Sequence, residues 1–171
     1  MVNRSSTITL FLAVSLLFAC QEKQTSSNDK KIWANSFIGK KAPEFVVEQW
    51  LSEIPNTENK YVLIDFWATW CGPCRQVIPE LNSYHEEFKD KLVVIGVSAE
   101  SEEKIEQIKS LGINYYSAIA PQQTMYDNLG ITAIPHCIII NPDGIVVWEG
   151  FPLLEGNELT AQVIKELINK G

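Results

Sequence analysis

Two kinds of hydrophobic pattern alternate along the chain. Tyr61 to Trp67 is apolar at nearly every position, broken only by Asp65, and Leu92 to Ser98 is apolar almost throughout. Such runs predict strands buried on both faces, as in the middle of a parallel sheet. Between them, Cys71 to Lys89 sets Val77, Ile78, Leu81, Tyr84 and Phe88 at helical spacing, with Pro79 inside predicting a kink. Ser101 to Leu111 repeats the helical pattern, with Ile105, Ile108 and Leu111 inward and Ser101 placed to cap it. Tyr115 to Ile119 predicts a strand and Thr124 to Leu129 a short helix. His136 to Ile140 and Ile145 to Trp148 predict two strands joined by the turn Asn141-Pro142-Asp143-Gly144. Leu159 to Asn169 predicts a closing helix, and Ala42 to Val47 a short first strand. Ser52 to Lys60, polar and with a proline, predicts a loop. The order is a strand followed by βαβαβαββα, which implies an α/β fold with a mixed, mostly parallel sheet flanked by helices.

The first residues do not fit this alternation. Arg4 precedes the short apolar run Ile8 to Phe18, which ends Leu17-Phe18-Ala19-Cys20. A positive start, a short apolar stretch and a small residue at the cut describe an export signal over residues 1–19. A small residue followed by Cys resembles a bacterial lipobox, which implies that Cys20 is lipidated and becomes the new N-terminus; a cleaved and released form and an uncleaved anchor are the alternatives. Gln21 to Lys31 has no large apolar residue and is expected to be a disordered tether. Residues 20–31 would then link the lipid to a globular domain over residues 32–171. Fully extended, the tether would reach roughly 35 Å. The domain would then hang off a membrane, expected on the periplasmic side, in an oxidising compartment.

Composition narrows the partners. The 171-residue chain carries a net charge of −7, or −8 once Arg4 is removed with the signal, so nucleic-acid phosphates would repel it. Four cysteines (Cys20, Cys71, Cys74 and Cys137) are too few and too unevenly placed for a disulfide scaffold.

The chemistry concentrates in Trp67-Ala68-Thr69-Trp70-Cys71-Gly72-Pro73-Cys74-Arg75. Zinc would need four ligands, and only Cys137 and two histidines remain to complete a site, so no metal is expected. A purely structural bridge would close a tiny loop and stabilise little. A redox pair explains more. Cys71 at a helix N-terminus meets free N–H groups and the helix dipole, both of which favour a thiolate. That thiolate can attack a substrate disulfide, and Cys74, one turn on, can resolve the mixed disulfide. Gly72 keeps the turn open, Pro73 sits where no helical N–H is needed, and Trp70 shields one side. A peroxidatic site is less consistent with a second cysteine only three residues away. Asp65, in an otherwise apolar strand, is costly to bury and is a candidate proton acceptor for Cys74. Ile134-Pro135 lies at a strand start, where the proline could be cis or an ordinary trans loop residue.

Asp65-Phe66-Trp67-Ala68-Thr69-Trp70-Cys71-Gly72-Pro73-Cys74-Arg75, followed by Pro79 and Ile134-Pro135, resembles thioredoxin. Gly39-Lys40-Lys41-Ala42-Pro43-Glu44-Phe45, Val93-Val94-Ile95-Gly96-Val97-Ser98 and the turn Asn141 to Gly144 resemble exported TlpA/ResA-like thiol-disulfide reductases. The resemblance spans roughly Phe37 to Lys170. It implies a thioredoxin fold with an N-terminal extension and a βα insertion, a cis Pro135, and a Cys71/Cys74 dithiol as the redox centre with no other cofactor. ResA-like members often carry a glutamate two positions before the kink proline; here that position is Val77, and Asp65 is the acid instead.

The expected activity is thiol-disulfide oxidoreduction, with reduction of protein disulfides favoured by the thioredoxin-like Gly-Pro pair and Asp65. In an oxidising compartment a reductant must be recharged by a membrane electron donor. An oxidase or isomerase of the same fold, and a non-catalytic peptide-binding module, are the alternatives. Ile134, Pro135 and Trp70 are expected to border an extended substrate. His136 is a candidate to line that groove and tune Cys71, with simple packing as its alternative. Cys137 reads as a small buried hydrophobe, with a third redox thiol as the alternative. His85 and the run Glu100 to Glu106 read as solvated.

Overall fold

The computed structural model describes residues 33–107, 111–120 and 125–170. The expected export signal, Cys20, the expected tether and Ile108 lie outside the described residues. The described residues form β1 (Gln49–Trp50), β2 (Tyr61–Phe66), α1 (Gly72–Glu87), β3 (Leu92–Ser98), α2 (Glu102–Glu106), β4 (Tyr116–Ile119), α3 (Met125–Leu129), β5 (His136–Ile140), β6 (Val146–Gly150) and α4 (Ala161–Lys170). Among them, no helix is long and apolar enough to cross a membrane.

The six strands lie in the order β1-β4-β3-β2-β5-β6. β2 pairs parallel with β3, and β3 with β4. The β1–β4, β2–β5 and β5–β6 pairings are antiparallel. The sheet is therefore mixed, with a larger antiparallel share than the strand–helix alternation implies. The excess lies in the β2–β5 and β1–β4 pairings; the β5–β6 pair is the expected hairpin, whose turn Asn141 to Gly144 is too short for a crossover. In that turn the Gly144 N–H donates to the Asn141 carbonyl at 2.8 Å, and Gly144 takes φ +78°.

Alternation along the two central strands sorts the core. Leu63 of β2 and Cys137 and Ile139 of β5 cluster with Val77, Ile78 and Leu81 of α1 and Ile164 of α4. Ile64 and Phe66 of β2 and Ile138 of β5 cluster with Met125 and Leu129 of α3 on the other face. Asp65 is paired with Cys137 across the β2–β5 ladder, so it points to the α1 face.

Three expectations are corrected. Ala42 to Val47 is not a strand; the first strand is Gln49–Trp50. Pro43 has no N–H for a ladder, and this entry segment touches the sheet through isolated bridges, Ile38 to Val146 and Lys41 to Ile145. It is held further by Glu149 of β6, which accepts from the Ser36 hydroxyl and, at 2.8 Å, from the Phe37 N–H. The helix expected from Ser101 ends its described course at Glu106, and the Ser101 side chain makes no capping hydrogen bond. Its carbonyl instead accepts from Lys104 and Ile105. His85 is half-buried rather than solvated, with its ring edge-on to Tyr116 at 5.3 Å.

Candidate functional site

The strand–turn–helix from β2 to α1 positions the cysteines. β2 ends at Phe66; the Trp67 N–H still donates to the Val97 carbonyl of β3 at 3.0 Å, and Trp67 and Ala68 are buried. The next residue, Thr69, is pinned from β3's end: its N–H donates to Glu100 Oε2 at 2.5 Å and its hydroxyl to Oε1 at 2.9 Å. Trp70 is then left 71% exposed. The Cys71 N–H donates to the Ala68 carbonyl at 3.1 Å, which closes the turn.

Cys71 is the N-cap of α1. Its backbone is extended, and its Sγ accepts the N–H of Cys74 at 3.2 Å. This is the place of the oxygen in an ordinary cap, occupied by sulfur. Pro73 lies in the first turn, where its missing N–H leaves no bond unmade. That turn holds no acidic residue, so nothing in it opposes negative charge on Cys71. Cys71 and Cys74 form a disulfide with their Cα atoms 5.3 Å apart, and both are buried. They cluster with Trp67 and Ala68, against which Ile134 packs. Ile134 and Pro135 are thus brought to the cysteines, and the peptide bond between them is cis.

Asp65 is fully buried. Burial pushes its carboxyl up from 3.8 to about 7; hydrogen bonds from Cys137 and Tyr115 pull the other way. The Cys137 Sγ lies 3.4 Å from Oδ1, and the Tyr115 hydroxyl 3.4 Å from Oδ2. Tyr115 stands there because Gly96, Asp65's partner on β3, has no side chain. A Cβ on Gly96 would come within 2.8 Å of the Tyr115 ring and 3.2 Å of Trp67 Nε1. Gly96→Ala is therefore expected to destabilise the protein by about 1–3 kcal/mol, because neither buried ring can swing away. Chemical denaturation of the variant checks this. Tyr115 and Trp67 also border a cleft of about 290 Å³ on the α2 side, with Ile105, Leu111 and Ser117.

The structure thus gathers Cys71, Cys74, Gly72, Pro73, Trp70, Ile134 and Pro135 at one end of the sheet, and sets Asp65 within β2 on the α1 face. It does not bring His136 to a groove surface. His136 is 1% exposed, pairs with Phe66 across the ladder, and has its ring 6.2 Å from that of Phe66. Alternation therefore puts it on the α3 face, away from Asp65. Two residues at the site are not marked by the sequence pattern, Glu100 and Tyr115; Cys137, expected as a buried thiol, is buried and lies opposite Asp65 on β5. Glu100 sits in an acidic run that reads as solvent-facing. Among the described residues, no group of three or more His, Cys, Asp or Glu side chains is placed to hold a metal ion.

Residues 38–149 match the family described as AhpC/TSA. The chain is similar to the thioredoxin-like protein YneN of Bacillus subtilis, with 30% identity over 115 residues, 63% of this chain and 68% of that protein. It is also similar to the thiol-disulfide oxidoreductase ResA of Bacillus thuringiensis subsp. konkukian, with 30% identity over 139 residues, 78% of each chain. Among solved structures, the thioredoxin domain of a thiol-disulfide oxidoreductase from Bacteroides vulgatus superposes with a TM-score of 0.63 at 24% identity, covering 80% of this chain and 98% of that one. That likeness shows the thioredoxin fold.

Proposed function

We propose that this chain, a member of the AhpC/TSA family and a thiol-disulfide oxidoreductase like its relative ResA, reduces protein disulfides through Cys71 and Cys74 while tethered to a membrane. The observation that carries the reading is the pair itself: two cysteines joined at the head of α1, the first of them the cap.

In the reduced enzyme the Cys71 thiolate keeps the Cys74 N–H as a donor and attacks one sulfur of the substrate disulfide. A Cys71–substrate bond forms, the substrate S–S bond breaks, and one substrate thiolate leaves. Cys74 gives its proton to Asp65 and attacks Cys71 Sγ, forming the Cys71–Cys74 disulfide and expelling the second substrate thiolate. Two electrons have passed to the substrate, whose thiolates take up two protons. A carboxyl that titrates near neutrality suits this transfer. Exposed Trp70 and the Ile134-Pro135 segment would flank an extended substrate segment, with Gly72 and exposed Pro73 beside Cys71.

The tether would be residues 20–31, with Cys20 lipidated after removal of residues 1–19; the support is the signal-like pattern from Arg4 to Ala19. Electrons would be resupplied by a membrane donor, since an oxidising compartment offers no thiol pool. The direction is tested by the reduction potential of the Cys71/Cys74 couple. A value near thioredoxin's, about −270 mV, supports the reductant; one near that of DsbA, about −120 mV, overturns it.

A further inference from the structure

We propose that Tyr115 and Cys137 are positioning residues for Asp65, each holding one carboxyl oxygen, and that together they set how readily Asp65 takes a proton. The inference rests on the proposed role of Asp65 as the acceptor for Cys74.

The geometry is specific. Tyr115, just before β4, donates to Oδ2 and Cys137 of β5 donates to Oδ1, so both oxygens are engaged. The two donors arrive on opposite sides of β2. Cys137 comes from β5 by ladder register, and Tyr115 comes over β3 through the space that Gly96 leaves open. A carboxylate held in a dry core without donors would simply stay protonated and could accept nothing. Donors to both oxygens stabilise the charged form and keep the group usable.

Both donors also keep their hydrogens across the working pH range. Burial, and then the charge of Asp65, push the Cys137 thiol well above its usual value. The same two causes push the Tyr115 phenol up. The remaining neighbours do not compete. Gly96 of β3 offers no side chain, and Cys74 of α1 is held in the disulfide. Tyr126 of α3 feels Asp65's charge, but its hydroxyl is committed to the Val97 carbonyl at 3.0 Å. A thiol is the weaker donor of the two, and an Ala or Val would pack in its place without offering one. The serine isostere separates these two contributions.

The test follows the Asp65 carboxyl directly, by infrared titration of the oxidised full-length protein, with the band assigned by its loss in Asp65→Asn. Tyr115→Phe and Cys137→Ala are each expected to move the midpoint toward alkaline pH by about one unit, and Cys137→Ser to leave it at or below the wild-type value. Midpoints of Tyr115→Phe and Cys137→Ala that coincide with wild type overturn the proposal. A Cys137→Ser midpoint that follows Cys137→Ala overturns the part assigned to the thiol. The acceptor role of Asp65 is read separately, from the pH dependence of mixed-disulfide resolution in Asp65→Asn. A flat comparison there removes the acceptor while the titration still decides the two donors.

Discussion

Cys71→Ser is expected to lower dithiothreitol-driven reduction of a test disulfide by on the order of 10³-fold or more, while Cys74→Ser lowers turnover but leaves the first attack intact. The asymmetry follows from position. Cys71 is the cap, with the Cys74 N–H aimed at its sulfur and a helix dipole behind it. Cys74 lies one turn in and is buried, with its sulfur bonded to Cys71. A serine at position 71 would still cap the helix, so folding should survive and the loss would be chemical. A serine at position 74 cannot resolve, and the enzyme should accumulate as a mixed disulfide with its substrate. Mass spectrometry of the non-reduced variant would detect that adduct. Turnover by Cys71→Ser near the wild-type rate would mean that the cysteines only latch a bound peptide, and the oxidoreductase mechanism would fail.

The elements with the strongest patterns are legible in the amino-acid sequence itself. Tyr61 to Trp67 and Leu92 to Ser98 are strands because apolar side chains fill both faces, and they lie at the sheet's centre. Cys71 to Lys89 differs from the observed helix only at its ends, where Cys71 and Phe88 are caps. The entry segment is not legible. Ala42 to Val47 has strand-like composition, but a strand needs a partner, and composition carries no information about which edge is free. At the site, spacing and pattern single out Cys71, Cys74 and Asp65 as candidates. Tyr115 is hidden because its position depends on a missing side chain at Gly96, on a different strand. His136 is misplaced by the sequence because adjacency to Pro135 along the chain is not adjacency in space; one step along a strand reverses the face.

Asp65→Asn should make the protein more stable at pH 8 and nearly indistinguishable from wild type at pH 4. The carboxyl titrates near 3.8 when exposed and at about 7 in the fold, chiefly because it is buried. Between those values the folded state holds a proton that the unfolded state has lost, so wild-type stability falls as pH rises through this window. Above pH 7 the whole cost is present, on the order of 4 kcal/mol, and below pH 4 it vanishes because both states are protonated. Asparagine keeps the shape without the charge and should recover much of that cost. Denaturation midpoints of the oxidised protein across pH 4 to 8 would check it; parallel curves for variant and wild type would mean that Asp65 is solvated after all. The same substitution should slow resolution of the mixed disulfide by roughly 10²-fold near neutrality, since no acceptor remains for the Cys74 proton. A variant that is sturdier and slower at one pH would separate the two roles of this carboxyl. Its burial weakens the fold through the same desolvation that brings its titration into the range where it can exchange a proton with a thiol.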